Sequence, residues 1–167
     1  RSHRLLYGNF DYDDDDNALM DDDSSTDIFG NEHAEAGRKF ITADIARFGN
    51  DKSVIMIWDG WRVIEITTMK HRKTTEVALF IGSMMRKYGI PKSQVIVDDD
   101  GVGGGVVDQL GCKGFVNNSS PLPNPKSQEH ENYKNLKSQC YYMLAADINA
   151  KRISVKCEDS EIQEALT

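Results

Sequence analysis

The chain has 167 residues, of which 39% are hydrophobic, which is enough for one domain with a core of its own. No apolar run approaches the roughly 20 residues that cross a bilayer, so a membrane-spanning class is excluded and no membrane partner is expected. The net charge is −7, but residues 1–36 carry −9 and residues 37–167 carry +2. The acidic balance therefore belongs to one segment and does not exclude a nucleic-acid partner.

That acidic segment is predicted to be an arm. Asp11–Asp27 is a low-complexity run in which dense like charges resist compaction. It lacks the spacing of a calcium-binding loop, so a solvated linker is favoured over a calcium site. We interpret residues 1–36 as an acidic linker or arm and residues 37–167 as the folded domain.

Three strands are predicted to open the folded domain. Phe40–Ala46, Ser53–Trp58 and Trp61–Thr68 are rich in β-branched and aromatic residues, and Asp59-Gly60 supplies a hairpin turn. We expect an antiparallel meander.

Helices and short strands alternate in the rest of the chain. A helix is predicted from a cap at Thr74 or Thr75 to Tyr88, with Gly89-Ile90-Pro91 as its end. The remaining predicted elements are strand Gln94–Val97, helix Val106–Leu110, strand Lys113–Val116, helix Tyr133–Ala150 with Leu136, Cys140, Met143, Leu144 and Ile148 buried, strand Ile153–Val155 and the start of a helix after Asp159. The order β-β-β-α-β-α-β-α-β-(α) predicts an α/β fold with the mixed sheet of RNase H-like proteins.

Two aspartates in the predicted strands are candidate metal ligands. Asp44 lies in the otherwise apolar first strand, and Asp98 closes the fourth, where α/β sheets place ligands. If these strands are neighbours, the carboxylates converge and repel unless a divalent cation lies between them. Mg²⁺ or Mn²⁺ suits an all-oxygen site, and a second ion would complete a two-metal centre. Asp51 supplies another acid in the turn that follows the first strand.

A glycine run and several cations follow or flank these acids. Gly101–Gly105 is either a phosphate cradle, through Gly103 and Gly104, or a tight turn that allows close backbone approach. It does not match a P-loop. The candidate DNA-phosphate contacts among the cations are Lys70, Arg72, Lys73 and Lys134, although a basic cluster of this kind is more often a solvated loop.

Four stretches of residues 38–157 together resemble the nuclease domain of the phage terminase large subunit. They are ITADIARFGNDKSVIMIWDG, VIVDDDGVGGGVVDQL, GFVNNSSPLPNP and NYKNLKSQCYYMLA. The two most specific patterns are D-x-A-x-x-G-x-D and V-D-x-x-G-x-G-x-x-V-x-D-x-L. LLYGNFDYDDD is similar to the junction that follows the ATPase domain in such proteins.

The resemblance implies a metal-dependent endonuclease that cuts concatemeric double-stranded viral DNA. Asp44 and Asp98 match the catalytic metal ligands, and Asp51 matches a supporting acid. Two Mg²⁺ or Mn²⁺ ions are implied as cofactors. The implied partners are an ATPase motor domain, a small terminase subunit and the portal, in the host cytoplasm.

The chain departs from the family pattern in one respect that bears on activity. The family has a third acidic ligand near its C-terminus, usually in an S-P-D-x-x-D-A-like helix, which has no match before Thr167, and Asp159 is a poor substitute. We therefore expect an incomplete site, with weak or absent activity in this chain. The alternative is a non-catalytic RNase H-like module that docks on DNA or the portal. An actin-like ATP-binding fold would need a second, matching half, for which the chain is too short.

Overall fold

A computed structural model describes residues 19–20, 27–46, 51–124, 127–128 and 132–166. The strands are β1 (Lys39–Asp44), β2 (Lys52–Asp59), β3 (Arg62–Lys70), β4 (Val95–Asp98), β5 (Lys113–Phe115) and β6 (Ser154–Val155); the helices are α1 (Thr74–Tyr88), α2 (Gly104–Leu110), α3 (Leu136–Asn149) and α4 (Ser160–Leu166), with a 3-10 turn at Lys92–Gln94. None of the helices in these ranges has the length and apolar character that crossing a membrane requires.

One six-stranded mixed sheet, in the order β5-β4-β1-β2-β3-β6, organises the molecule. β1, β2 and β3 pair antiparallel, whereas β4, β5 and β6 join by parallel pairing. The predicted element order, the meander and the mixed α/β fold class are confirmed.

The first face of the sheet carries the larger core, beneath α1 and α2. Val77, Ala78 and Ile81 project from α1 at helical spacing and are buried against the sheet. The side chains with almost no solvent exposure in this cluster are Ile41, Ile55, Ile57, Val77, Ile81, Val95, Val97 and Val106. This face supplies most of the buried apolar surface.

The two ends of α1 are stabilised by different contacts, and only one of them was predicted. Gly89 adopts the left-handed conformation with φ of 66° and ends the helix, as predicted. The prediction that Thr74 or Thr75 caps its start is wrong, because Lys73 occupies the cap position. There the Lys73 N–H donates to the Glu76 carboxylate at 2.9 Å, so a side chain from inside the helix satisfies the end.

A smaller core lies on the second face, and the N-terminal segment contributes to it. Ile28 is buried with Val63, Ile148 and Val155. Val155 N–H donates to the Ile28 carbonyl, and the Asn31 amide donates to the carbonyls of two residues before β6. Residues 27–36, assigned by sequence to the acidic arm, thus pack on the domain. Residues 1–18 and 21–26, which hold the rest of that arm, lie outside the described residues.

Helix α3 presents a different face to the sheet from the one predicted. Ala145 and Ile148 are buried with Gln139, whereas Cys140, Met143 and Leu144 are exposed, contrary to expectation. Gln139 fixes this orientation, since its side chain accepts from Leu122 N–H at 2.7 Å and donates to the Leu122 carbonyl at 3.0 Å. The spacing of apolar residues in the sequence cannot predict a buried polar contact of this kind.

Candidate metal centre

Strand pairing brings the two predicted carboxylates side by side. β1 and β4 are parallel neighbours, with Ala43 opposite Val97, so Asp44 and Asp98 are the next residues along the same pair. Side chains one step past a paired position share a face of the sheet. Both carboxylates therefore project from the second face of the sheet, at the carboxyl ends of their strands. The sequence predicts this convergence.

The electrostatics of Asp44 reflect this crowding. Partial burial raises its pKa most, the neighbouring Asp98 raises it further, and Asp51 adds a smaller effect of the same sign. Lys137 is the positive group that opposes them. A negative charge at Asp44 is thus unfavourable here, and a divalent cation shared with Asp98 would remove the repulsion.

The three consecutive acids at the end of β4 have separate environments. Asp98 Oδ1 accepts from Asp100 N–H, and Asp100 Oδ2 accepts from Asn117 N–H, both at 2.9 Å. Asp99 points elsewhere: a Cβ placed on Gly104 or Gly114 would lie within 2.8 Å of its carboxylate oxygens. Of the three acids, Asp98 is the one whose charge raises the pKa of Asp44. Its role as a metal ligand stays a prediction.

The glycine run after these acids is required by close backbone approach at one position. Gly103 is buried, and a Cβ there would lie 1.6 Å from the Asp98 carbonyl oxygen. Gly103 precedes α2, whose seven residues start at Gly104. The tight-turn interpretation accounts for this glycine. Phosphate contact by Gly103 and Gly104 stays a prediction.

Asp51 lies in the loop before β2. It is exposed and close enough to Asp44 to affect its pKa, which fits the supporting role implied by the resemblance. The intervening residues 47–50 lie outside the described residues. Across the described part of the chain, no three His, Cys, Asp or Glu side chains are grouped closely enough to hold a cation. The described residues thus supply a carboxylate pair with a nearby third acid.

The predicted phosphate contacts divide into two groups. β3 runs parallel to β1, so Lys70 at its end lies on the same edge of the sheet as Asp44. Beyond it, Arg72 forms an ion pair with Glu76 at 3.3 Å, and Lys73 is the N-cap residue of α1. Lys134 is exposed, just before α3. Their contact with DNA stays a prediction.

Lys137 is the residue that sequence reasoning missed at this site. It is one of several cations in the second half of the chain, and nothing in its own spacing relates it to Asp44. Its position in the first turn of α3, next to the loop that leaves β5, is the signal that could have identified it. That loop follows Phe115, which pairs with Asp98 in the sheet.

The mixed sheet and its flanking helices form an RNase H-like fold. Solved structures with this fold include the nuclease domain of the large terminase subunit gp2 of bacterial virus Sf6 (TM-score 0.72, 17% identity, 87% of this chain and 77% of that one). A mutant of the same domain with manganese and beta-thujaplicinol matches with a TM-score of 0.70 at 18% identity, over 87% and 77% of the two chains. The large terminase nuclease from thermophilic phage G20c with bound magnesium has a TM-score of 0.56 at 20% identity, over 79% and 66%.

These similarities identify the fold. The chain has the fold of the nuclease domains of phage large terminase subunits, and the predicted resemblance is confirmed at the level of structure. No family model matches the sequence, and no curated protein does.

Proposed function

We propose that this chain is the metal-dependent endonuclease domain of a viral DNA-packaging terminase, acting on concatemeric double-stranded DNA. The observation that carries the proposal is the convergence of Asp44 and Asp98 at the ends of adjacent parallel strands. The terminase nuclease fold supports it, as do the manganese and the bound magnesium of structures that this fold resembles.

The residues present fit a hard divalent cation. Carboxylate oxygens are the ligands that Mg²⁺ and Mn²⁺ prefer, and the raised pKa of Asp44 indicates a carboxylate that a bound cation would relieve. Asp44 and Asp98 would hold the metal, with Asp51 in support. Two such ions supply an activated water and stabilise the leaving oxygen of a phosphodiester.

The fold keeps this ligand pair rigid. Asp44 and Asp98 project from paired strands over a tightly buried core, and Asp98 is further fixed by the Asp100 N–H. A site on sheet strands is held more precisely than one on loops. In the cell the domain would act in the host cytoplasm, with an ATPase motor domain, a small terminase subunit and the portal as partners.

Plasmid nicking tests the proposed activity. The protein is used with its C-terminal side extended to include the third acid that the resemblance implies. We expect manganese to support nicking of supercoiled plasmid, and the Asp44→Ala substitution to reduce it at least about a hundredfold. Asp108→Ala is the matched control, since Asp108 is an exposed acid on α2. Unchanged nicking by Asp44→Ala would contradict the proposal.

A second function, a non-catalytic module that docks on DNA or the portal, is favoured by one observation. Within the described ranges, no three potential ligands are grouped as a cation site. A docking module predicts no stoichiometric manganese binding that depends on Asp98. Calorimetric titration therefore separates the two functions without any need for turnover.

A further inference from the structure

We propose that Lys137 is a phosphate-binding residue of this site, which holds a DNA phosphate against the Asp44–Asp98 pair. The inference rests on the proposed function, because it assigns to Lys137 the anionic substrate of the same centre. It adds a positive group on α3 to a site otherwise built from the carboxyl ends of two strands.

A chain of hydrogen bonds fixes the first turn of α3 beside Asp98. Asp98 Oδ1 accepts from Asp100 N–H at 2.9 Å, Asp100 Oδ2 accepts from Asn117 N–H at 2.9 Å, and the Asn117 carbonyl accepts from Lys137 N–H at 3.2 Å. The backbone of Lys137 is therefore tied to the ligand carboxylate through three successive bonds.

Two further contacts hold the same junction. Leu136 N–H donates to the Ser119 carbonyl at 2.8 Å, and the Asn135 amide donates to the Asn118 side-chain oxygen at 3.1 Å. The Asn135 side chain also accepts from Ser138 N–H and caps the helix. The start of α3 is consequently well defined, although the helix exposes much of its apolar surface to solvent.

The ammonium of Lys137 is accessible to an anionic ligand. Lys137 is exposed, and among the described residues no carboxylate lies within ion-pair distance of its Nζ. The Nζ lies 5.8 Å from the centre of the Tyr141 ring, one turn further along the helix. It is nevertheless near enough to Asp44 to lower the pKa of that carboxyl.

This position suits a phosphate bound between a cation site and a lysine. A phosphodiester that reaches Asp44 and Asp98 through a divalent cation would bring its remaining oxygens toward the positive group beside the pair. A lysine there adds a charge-assisted hydrogen bond to phosphate. A purely structural lysine would instead offset the charge of the carboxylates without contacting the DNA.

A phosphate-binding lysine and a purely structural lysine predict different effects of removing the charge on manganese affinity and on DNA affinity. Lys137→Ala deletes a positive charge near a cation site, so manganese affinity should stay the same or rise by roughly threefold. Affinity for a short labelled DNA duplex, measured by anisotropy with calcium present, should fall by about tenfold. The slope of log affinity against log salt should become smaller by about 0.9, the value for one phosphate contact.

Two further variants complete the experiment. Lys137→Arg should retain the salt slope, because a guanidinium also binds phosphate. Lys92→Ala removes an equal charge from the exposed 3-10 turn before β4, at the opposite end of that strand from Asp98, and should leave both affinities unchanged.

The inference and the proposed function fail in different ways. Duplex affinity of Lys137→Ala equal to that of Lys92→Ala would overturn the inference, as would a loss of manganese affinity in Lys137→Ala. A wild-type chain that binds no manganese, or an Asp98→Asn variant that binds it equally well, would contradict the proposed function. In that case the duplex measurements still decide the role of Lys137.

Discussion

The two faces of the sheet differ in composition and in the role that each plays. The first face, beneath α1 and α2, is a continuous apolar cluster of nearly inaccessible Ile and Val side chains. The second face has a smaller cluster around Val63 and Val155, and it also carries Asp44 and Asp98. The dense core stabilises the strands from one side, which allows the other side to tolerate two repelling carboxylates.

Truncation of one core side chain on each face tests this difference most strongly. Ile81→Ala on the first face should lower the free energy of unfolding by roughly 4 kcal/mol, and Ile148→Ala on the second by roughly 2 kcal/mol. Ile81 is fully buried beneath the larger cluster, whereas Ile148 retains 8% exposure. Urea denaturation measures both values. Equal losses would contradict the unequal contribution of the two faces.

A glycine substitution tests the junction between the acids and α2. Gly103→Ala should destabilise the protein by on the order of 2 kcal/mol, because the new methyl group would collide with the Asp98 carbonyl. Gly105→Ala is the matched control in the same turn. A Cβ there meets only Thr74 at 3.7 Å, and alanine favours helix, so stability should rise by up to about 1 kcal/mol. Thermal melts of both variants would show whether close approach at Gly103 matters.

Of these changes, removal of the Asp44 charge should have the smallest effect on the free energy of unfolding, and this effect should depend on pH. Because the folded state raises the pKa of Asp44, protonation favours the native protein below the ordinary value of 3.8, and this contribution is lost as pH rises through the folded pKa. Asp44→Asn lacks the unfavourable charge. Without metal it should therefore be more stable than wild type by a few tenths of a kcal/mol at pH 7, since Asp44 is partly exposed to solvent.

The comparison between variant and wild type must be repeated across pH and with metal. The gain of Asp44→Asn should vanish below about pH 4, where wild-type Asp44 is protonated as well. Saturating manganese should reverse the order, because only the wild-type site binds the ion. Melting temperatures in a chelator and in manganese provide the test. An Asp44→Asn protein less stable than wild type at pH 7 in chelator would contradict the electrostatic account.

Local patterns in the sequence were sufficient for the sheet and for the carboxylate pair. β-Branched and aromatic composition identified the first three strands. The position of Asp98 at the end of an apolar run predicted the neighbour of Asp44, because parallel strands end at a common edge. The orientation of α3 could not be predicted in this way. It depends on the two hydrogen bonds between Gln139 and the Leu122 backbone, which join residues 17 positions apart.

The separate environments of the three acids and the position of Lys137 also depend on tertiary contacts. The sequence distinguishes Asp98 as the acid that closes the strand, but the close approach of Asp99 to Gly104 and Gly114 is visible only in the structure. The backbone of Lys137 is held beside the site by the hydrogen bond from its N–H to the Asn117 carbonyl, which joins distant segments of the chain. Residue spacing carries no information on such contacts.

Manganese titration by calorimetry tests the central claim, that Asp44 and Asp98 form a cation site, most directly. Asp98→Asn is the sharpest variant, because its amide oxygen can still accept from Asp100 N–H while the charge is lost. Asp108→Asn is the control. Stoichiometric binding by wild type and Asp108→Asn, with at least a tenfold loss in Asp98→Asn, is the predicted result. Equal manganese binding by all three proteins would contradict the claim.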